Sequence, residues 1–245
     1  MAEAGRGPAS PADRLLVAVD VGSLREAERL LDRLAGVVAG CKIGNQLFTA
    51  AGPAAIEAAR KRGFRVFLDL KFHDIPNTVA GAVREATRLG VFMLNVHASG
   101  GVAMMRAAAD AATRAAAEFS TPRPLCLGVT VLTSLDRRAL ETEVGVPMAV
   151  EAHVLRLAER AAEATLDGCV ASPREIRALR LAMPRSWVIV TPGIRAAQGG
   201  DDQVRTATPR AALTAGADYL VVGRPITAAP DPAAAARAML EELAA

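Results

Sequence analysis

Aromatic residues are scarce in this chain: one Trp, one Tyr and six Phe among 245 residues. Proteins that bind single-stranded nucleic acid stack bases on aromatic platforms, so this poverty of rings argues against that class. An excess of one charge is also missing. Lys and Arg number 29 against 26 Asp and Glu, a formal net charge of +3, which is too little for the basic footprint of a nucleic-acid surface. No apolar run approaches the roughly 18 residues that a membrane span requires. The opening stretch MAEAGRGPASPAD has no apolar segment of the kind a signal peptide carries. Its Ala, Gly, Pro and Ser content predicts a loose, disordered tail over residues 1–13, followed by one domain over 14–245.

Cysteine and histidine number three each. Cys41, Cys126 and Cys169 are far apart, show no CxxC or Cys/His ligand spacing, and each lies in an apolar, strand-like stretch. They read as reduced core thiols, which fits a cytoplasmic protein. His73, His97 and His153 lack the spacing of a metal site, so no metal centre is expected; they are read as supporting neighbouring site residues or as packing, and His153, within a helix, as structural. What the chain has in quantity is apolar: 51% of residues are hydrophobic and 22% charged, enough to bury a sizeable core.

Those apolar residues recur in eight short runs: 15–20, 41–45, 65–70, 92–97, 125–132, 168–172, 187–192 and 218–223. Rich in Val, Ile and Leu and too short for helices, they read as buried parallel strands. Between them lie helical stretches. In 23–34, Leu24, Ala27, Leu31 and Leu34 form one stripe, with Ser23 as N-cap and Glu26 three residues on, a capping-box pattern. Stretch 53–63 opens on Pro53 and closes on Gly63, and 77–90 repeats the scheme with Asn77 and Gly90. Further helices are expected over 102–118, 150–164, 172–183 and 232–244, and Met104–Met105 as core filling. Eight strand–helix units in this length predict an α/β fold, a closed (β/α)8 TIM barrel of one domain; a doubly wound open sheet is the alternative.

In such barrels chemistry sits where strands end. Polar residues collect there: Asp20 closing the first run, Lys42 in the second, Asp69, Lys71 and Asp74 around the end of the third, and Asn95 and His97 ending the fourth. Thr130, Thr133 and Ser134 lie at the end of the fifth, Thr191 and Arg195 at that of the seventh, and Gly223 and Arg224 at that of the eighth. The densest cluster is DLKFHDIPNT over 69–78. Strand side chains alternate with period two, which puts Asp69 and Lys71 on one side. A solvated surface ion pair is the bland reading of that pair. Convergence with Lys42 and Asp20 from neighbouring strand ends favours an organised site. VVGRP (221–225), beside TPGIR (191–195), has a Gly and an Arg suited to phosphate, where a plain turn is the alternative. The small, polar loop 196–203 reads as a lid, or as an ordinary surface loop.

LDLKFHDIPNTV, NVHASGG, VTVLTS, VTPGIR and VVGRP, in this order, resemble the orotidine 5′-phosphate decarboxylase family in its bacterial form, from about Leu15 to about Leu240. The DxKxxD element alone is shared with related sugar-phosphate decarboxylases and synthases; the five motifs together are far more specific. The resemblance implies a barrel homodimer that decarboxylates orotidine 5′-monophosphate to UMP and CO2 in de novo pyrimidine biosynthesis, with no metal or organic cofactor. It implies that Lys71 is the catalytic lysine protonating C6 and that Asp69 lies beside the scissile carboxylate. Asp74 would enter the partner subunit's site and complete an alternating row with Lys42, Asp69 and Lys71. Asp20 and Lys42 would hold ribose hydroxyls with Thr78 from across the dimer, Thr133 would meet the pyrimidine, and Arg195, Gln203, Gly223 and Arg224 would bind phosphate. The rivals are a metal-dependent sugar-phosphate lyase, which carries an acidic residue where this chain has Lys42, and a catalytically inactive barrel that only binds a ligand.

Overall fold

A computed structural model describes residues 8, 10–195 and 207–244. All eight expected runs form strands: β1 (Leu15–Ala18), β2 (Gly40–Gly44), β3 (Arg65–Phe72), β4 (Met93–His97), β5 (Leu125–Val129), β6 (Gly168–Val170), β7 (Val188–Thr191) and β8 (Tyr219–Val222). They pair in parallel in chain order, and β8 returns to β1 with Leu15 opposite Leu220, so the sheet is a closed barrel and not an open one.

Strand alternation divides the core into two layers. Leu16, Ala18, Phe67, Met93, Leu127, Val190, Tyr219 and Val221 fill the barrel interior. Their neighbours Leu15, Val17, Cys41, Ile43, Val66, Leu68, Leu94, Cys126 and Cys169 face outward into the helical ring. The same parity aims Lys42, between Cys41 and Ile43, into the interior. Glycine makes room at two interior positions: a Cβ on Gly40 would stand 2.4 Å from the Leu16 side chain, and one on Gly168 only 2.1 Å from the Val188 carbonyl. All three thiols are free and buried, and burial pushes each up to about 12, so they are inert core groups.

The lower end of the barrel is plugged. Arg65 stacks on Phe92, 4.4 Å from the ring centroid, and donates to the Asp13 carboxylate at 2.9 Å. Asp13 belongs to a single helical turn, Pro11–Arg14, capped by Ser10. Residues 10–13 fall inside the segment read from composition as a loose tail; their side chains tie this turn to β3.

The helical ring departs from expectation at its N-termini. Ser23 caps Leu24–Leu34 by accepting from the Glu26 N–H, but the Glu26 carboxylate reaches the N–H of Gly22 rather than that of Ser23. The helix expected over 77–90 is Pro76–Arg88, with Pro76 at its first turn. Proline has no N–H to leave unsatisfied there, so it starts the helix and Asn77 lies inside. The helix expected over 172–183 is shortened to Ile176–Ala182. Ser172 diverts the chain into a turn first, its hydroxyl accepting from the Arg174 N–H. Met104 and Met105 are buried core residues. Among the described residues no helix is long and apolar enough to cross a membrane.

Candidate active site

A cavity of about 590 Å³ opens at the C-terminal mouth of the barrel, within the size range of small-molecule sites. Ala18, Phe67, Val129, Val170 and Val221 form its apolar floor. Of the residues singled out in the sequence, Asp20, Lys42, Asp69, Lys71, Thr133, Arg195, Gly223 and Arg224 all line it. The strand ends thus converge from one side as a charge row and from the other as an arginine pair.

The charge row is continuous. Lys42 Nζ donates to Asp20 at 2.9 and 3.1 Å and lies 3.5 Å from Asp69 Oδ2. Lys71 Nζ donates to Asp69 Oδ1 at 2.7 Å. Asp69 is therefore held between two ammonium groups, with its side chain only 13% exposed, so their attraction is weakly screened. Burial pushes its carboxyl up, but Lys42, Lys71 and the hydrogen bonds from Lys71 and Asn95 outweigh burial and hold it below the usual carboxylate range. It is ionised at neutral pH.

Asp69 and Lys71 do meet, though not through a regular pleat. Leu68 is opposite Leu94 and Phe72 opposite Val96, so three residues of β3 face the single residue Asn95 of β4. Lys71 sits in this bulge with φ +52°, a left-handed conformation that costs a side-chain-bearing residue about 1–3 kcal/mol. Bulges of this kind re-aim side chains beside active sites.

Glycine serves the row at one position. A Cβ on Gly44 would stand 2.8 Å from Lys42 Nζ and 2.9 Å from Asp20 Oδ1. At the edge of the row, His73 and His97 lie with ring centroids 5.3 Å apart. Burial pushes the His97 imidazole down, and His73 and Lys71 push the same way against the pull of Asp69.

Two expected site residues are not in this cavity. Asp74, on the segment that leads from β3 into Pro76–Arg88, and Thr78, in the first turn of that helix, are exposed, and Asp74 accepts from the Ile75 N–H at 2.6 Å. Gln203, and the proposed lid of 196–203, lie outside the described residues. The chain leaves the mouth at Arg195 and returns at Ala207, where the Arg195 N–H donates to the Ala207 carbonyl at 3.0 Å. Sequence reasoning gave no role to Gln46 or Thr227, which also line the cavity. It noted Asn95 only as a polar strand end, although an amide set between the apolar residues Leu94 and Val96 signals a buried group that needs partners.

A (β/α)8-barrel enzyme with a charge row on β1–β3 and arginines beyond β7 and β8 is the class these features define. The chain belongs to the orotidine 5′-phosphate decarboxylase / HUMPS family, whose model matches residues 13–239. It is 59% identical over 233 residues to the orotidine 5′-phosphate decarboxylase of Moorella thermoacetica, covering 94% of this chain and 92% of the relative. It is 52% identical to that of Syntrophotalea carbinolica, with 95% of each chain covered. The crystal structure of orotidine 5′-phosphate decarboxylase from Lactobacillus acidophilus is similar at a TM-score of 0.83 and 35% identity, covering 94% of this chain and 99% of that one.

Proposed function

We propose that this chain is a carboxy-lyase that converts orotidine 5′-monophosphate to UMP and CO2 in de novo pyrimidine biosynthesis. The observation that carries this reading is the ionised Asp69 held between Lys42 and Lys71 at one side of a mononucleotide-sized cavity. The names of the relatives point the same way.

In this mechanism the phosphate is bound by Arg195, Gln203, Arg224 and the glycine backbone at Gly223. Asp20 and Lys42 take the ribose hydroxyls, and Thr133 meets the pyrimidine. The ring then lies over the apolar floor with its C6 carboxylate towards Asp69 and Lys71. The C6–carboxylate bond breaks heterolytically: CO2 leaves, and the electron pair stays on C6 in the plane of the ring, where the π system cannot delocalise it. Lowering that barrier demands on the order of 20 kcal/mol. Fixed charges supply most of it in a site that excludes water. Asp69 repels the substrate carboxylate, a repulsion that vanishes as neutral CO2 departs. The Lys71 ammonium stabilises the carbanion and gives its proton to C6; solvent returns the proton. Contacts to phosphate and ribose, remote from the reacting bond, provide the binding energy that holds the ring in place.

Asp74 and Thr78, exposed on their own subunit, act in the site of a second copy, which makes the enzyme a homodimer with shared sites. No metal takes part, because the row is already occupied by two ammonium groups and an ammonium cannot ligate a divalent cation; the family resemblance calls for no organic cofactor. No nucleic acid or membrane partner is invoked, and the enzyme works in the cytoplasm.

The test is absorbance-monitored turnover of orotidine 5′-monophosphate by purified protein, with and without EDTA. Rapid substrate loss unaffected by the chelator supports the reading. Folded protein that ignores this substrate but acts on a sugar phosphate with added Mg²⁺ overturns it in favour of the metal-dependent lyases.

A further inference from the structure

Between Leu68 and Phe72 the ladder joining β3 to β4 is interrupted, and the Lys71 N–H has no regular strand partner there. The side chain of Asn95 supplies one: its Oδ1 accepts from the Lys71 N–H at 2.8 Å. The other end of the same amide, Nδ2, donates to Asp69 Oδ1 at 2.7 Å. This is the oxygen that also receives the Lys71 ammonium. The orientation of the amide is forced, since an N–H needs the oxygen and a carboxylate needs the donor. Asn95 is fully buried and does not line the cavity itself.

We propose that Asn95 is the positioning residue of the charge row: through one amide it holds the Asp69 carboxylate and the left-handed Lys71 backbone in fixed relation, and so aims the ammonium. It touches neither substrate nor reacting atoms. The amide does both tasks because it joins an acceptor and a donor in one rigid plane that spans the two partners; an apolar residue would leave the Lys71 N–H without this partner. The proposal rests on the decarboxylase reading for its kinetic consequences, but not for its electrostatic one.

The charged and titratable groups facing Asp69 are Lys71 on its own strand, Lys42 from β2 with Asp20 behind it from β1, and His97 from the end of β4 with His73 beside it. All remain when Asn95 is changed, and Asn95→Asp adds one more carboxylate to them. Asn95→Asp keeps the volume and the oxygen facing Lys71 but replaces the donor with a second carboxylate oxygen. Asn95→Ala removes both contacts. Each variant is checked for folding by thermal melting. The alanine variant carries the electrostatic test, because the new carboxylate of Asn95→Asp by itself raises the Asp69 titration; Asn95→Ser, too short to reach both partners, serves if the alanine variant does not fold.

With orotidine 5′-monophosphate, the expected result is a kcat lower by about 100-fold, as for a misplaced catalytic group, with KM within about threefold. The acid limb of the kcat profile moves to higher pH, because the charged form of Asp69 has lost a donor and, in Asn95→Asp, has also gained a like charge beside it. The titration of Asp69 is also followed by ¹³C NMR of Asp-labelled protein without substrate, in wild type and both variants. Its midpoint is expected to rise in the variants. A folded variant with wild-type kcat and acid limb, or an unmoved Asp69 titration, overturns the proposal. Wild-type protein that fails to turn over the substrate, while the Asp69 titration moves as stated, overturns only the functional reading and leaves the positioning role supported.

Discussion

Gly44 lies directly against the Lys42 ammonium, so close that a Cβ at this position would stand 2.8 Å from Nζ. Its own backbone, at φ −99°, is open to any residue, so the glycine is required by the ion pair and not by the turn. Both atoms in the way are ends of side chains, Lys42 Nζ and Asp20 Oδ1, and the pair yields before the fold does. Gly44→Ala is expected to raise KM about tenfold, equivalent to about 1.4 kcal/mol of binding, by displacing the groups assigned to the ribose. Its melting temperature should stay within about 2 °C of wild type. Steady-state kinetics with a parallel melt checks this; a large loss of stability with unchanged KM would place the role of Gly44 in folding.

The exposed positions of Asp74 and Thr78 lead to a mixing experiment. Lys71→Ala and Asp74→Asn homodimers should each be inactive or nearly so. In a hybrid dimer one site has both defects and the other has neither. Random reassortment of equal amounts should therefore restore about one quarter of the wild-type sites. Activity before and after co-refolding, with sedimentation to confirm dimers, reads this out. Absence of any recovery in dimeric protein contradicts shared sites.

Acid stability follows from His97. Its folded pKa lies below the ordinary 6.5, chiefly through burial. The unfolded chain therefore takes up this proton first, and stability falls as pH drops below about 6.5 until the folded imidazole titrates as well. Asp69 acts in a separate window. Its depressed carboxyl adds stability that is fully present above the ordinary carboxylate value of about 3.9 and is lost as pH falls through the folded value. Between pH 7.5 and 5.0, His97→Asn should lose less melting temperature than wild type. His153, also pushed down by burial, contributes equally to both and cancels. Parallel curves would show that His97 carries no such linkage.

The barrel was legible because its interior and exterior layers are written as eight separate Val-, Ile- and Leu-rich runs, each buried on both faces. The charge row was legible for the same reason: Asp20, Lys42 and Asp69 interrupt those runs where only apolar residues should stand. The bulge at Lys71 was not. Period-two alternation brings Asp69 and Lys71 to one side in an ideal strand, and nothing in the string DLK announces a left-handed lysine; the signal lay a strand away, in Asn95, whose buried amide demands two partners. The start of Pro76–Arg88 was misplaced by one residue because Asn77 is a good cap and Pro76 a better first residue. Asp74 and Thr78 are read from the resemblance carried by LDLKFHDIPNTV alone, since the role it implies for them requires a second copy of the chain.

The central claim is that Lys71 delivers the proton to C6 while other groups hold the nucleotide. The most direct measurement compares Lys71→Ala with wild type in turnover of orotidine 5′-monophosphate, and in calorimetric binding of UMP. The account predicts that turnover disappears in the variant, while UMP affinity stays within about tenfold, because the phosphate and ribose contacts are remote from Lys71. Turnover at the wild-type rate in Lys71→Ala would contradict it.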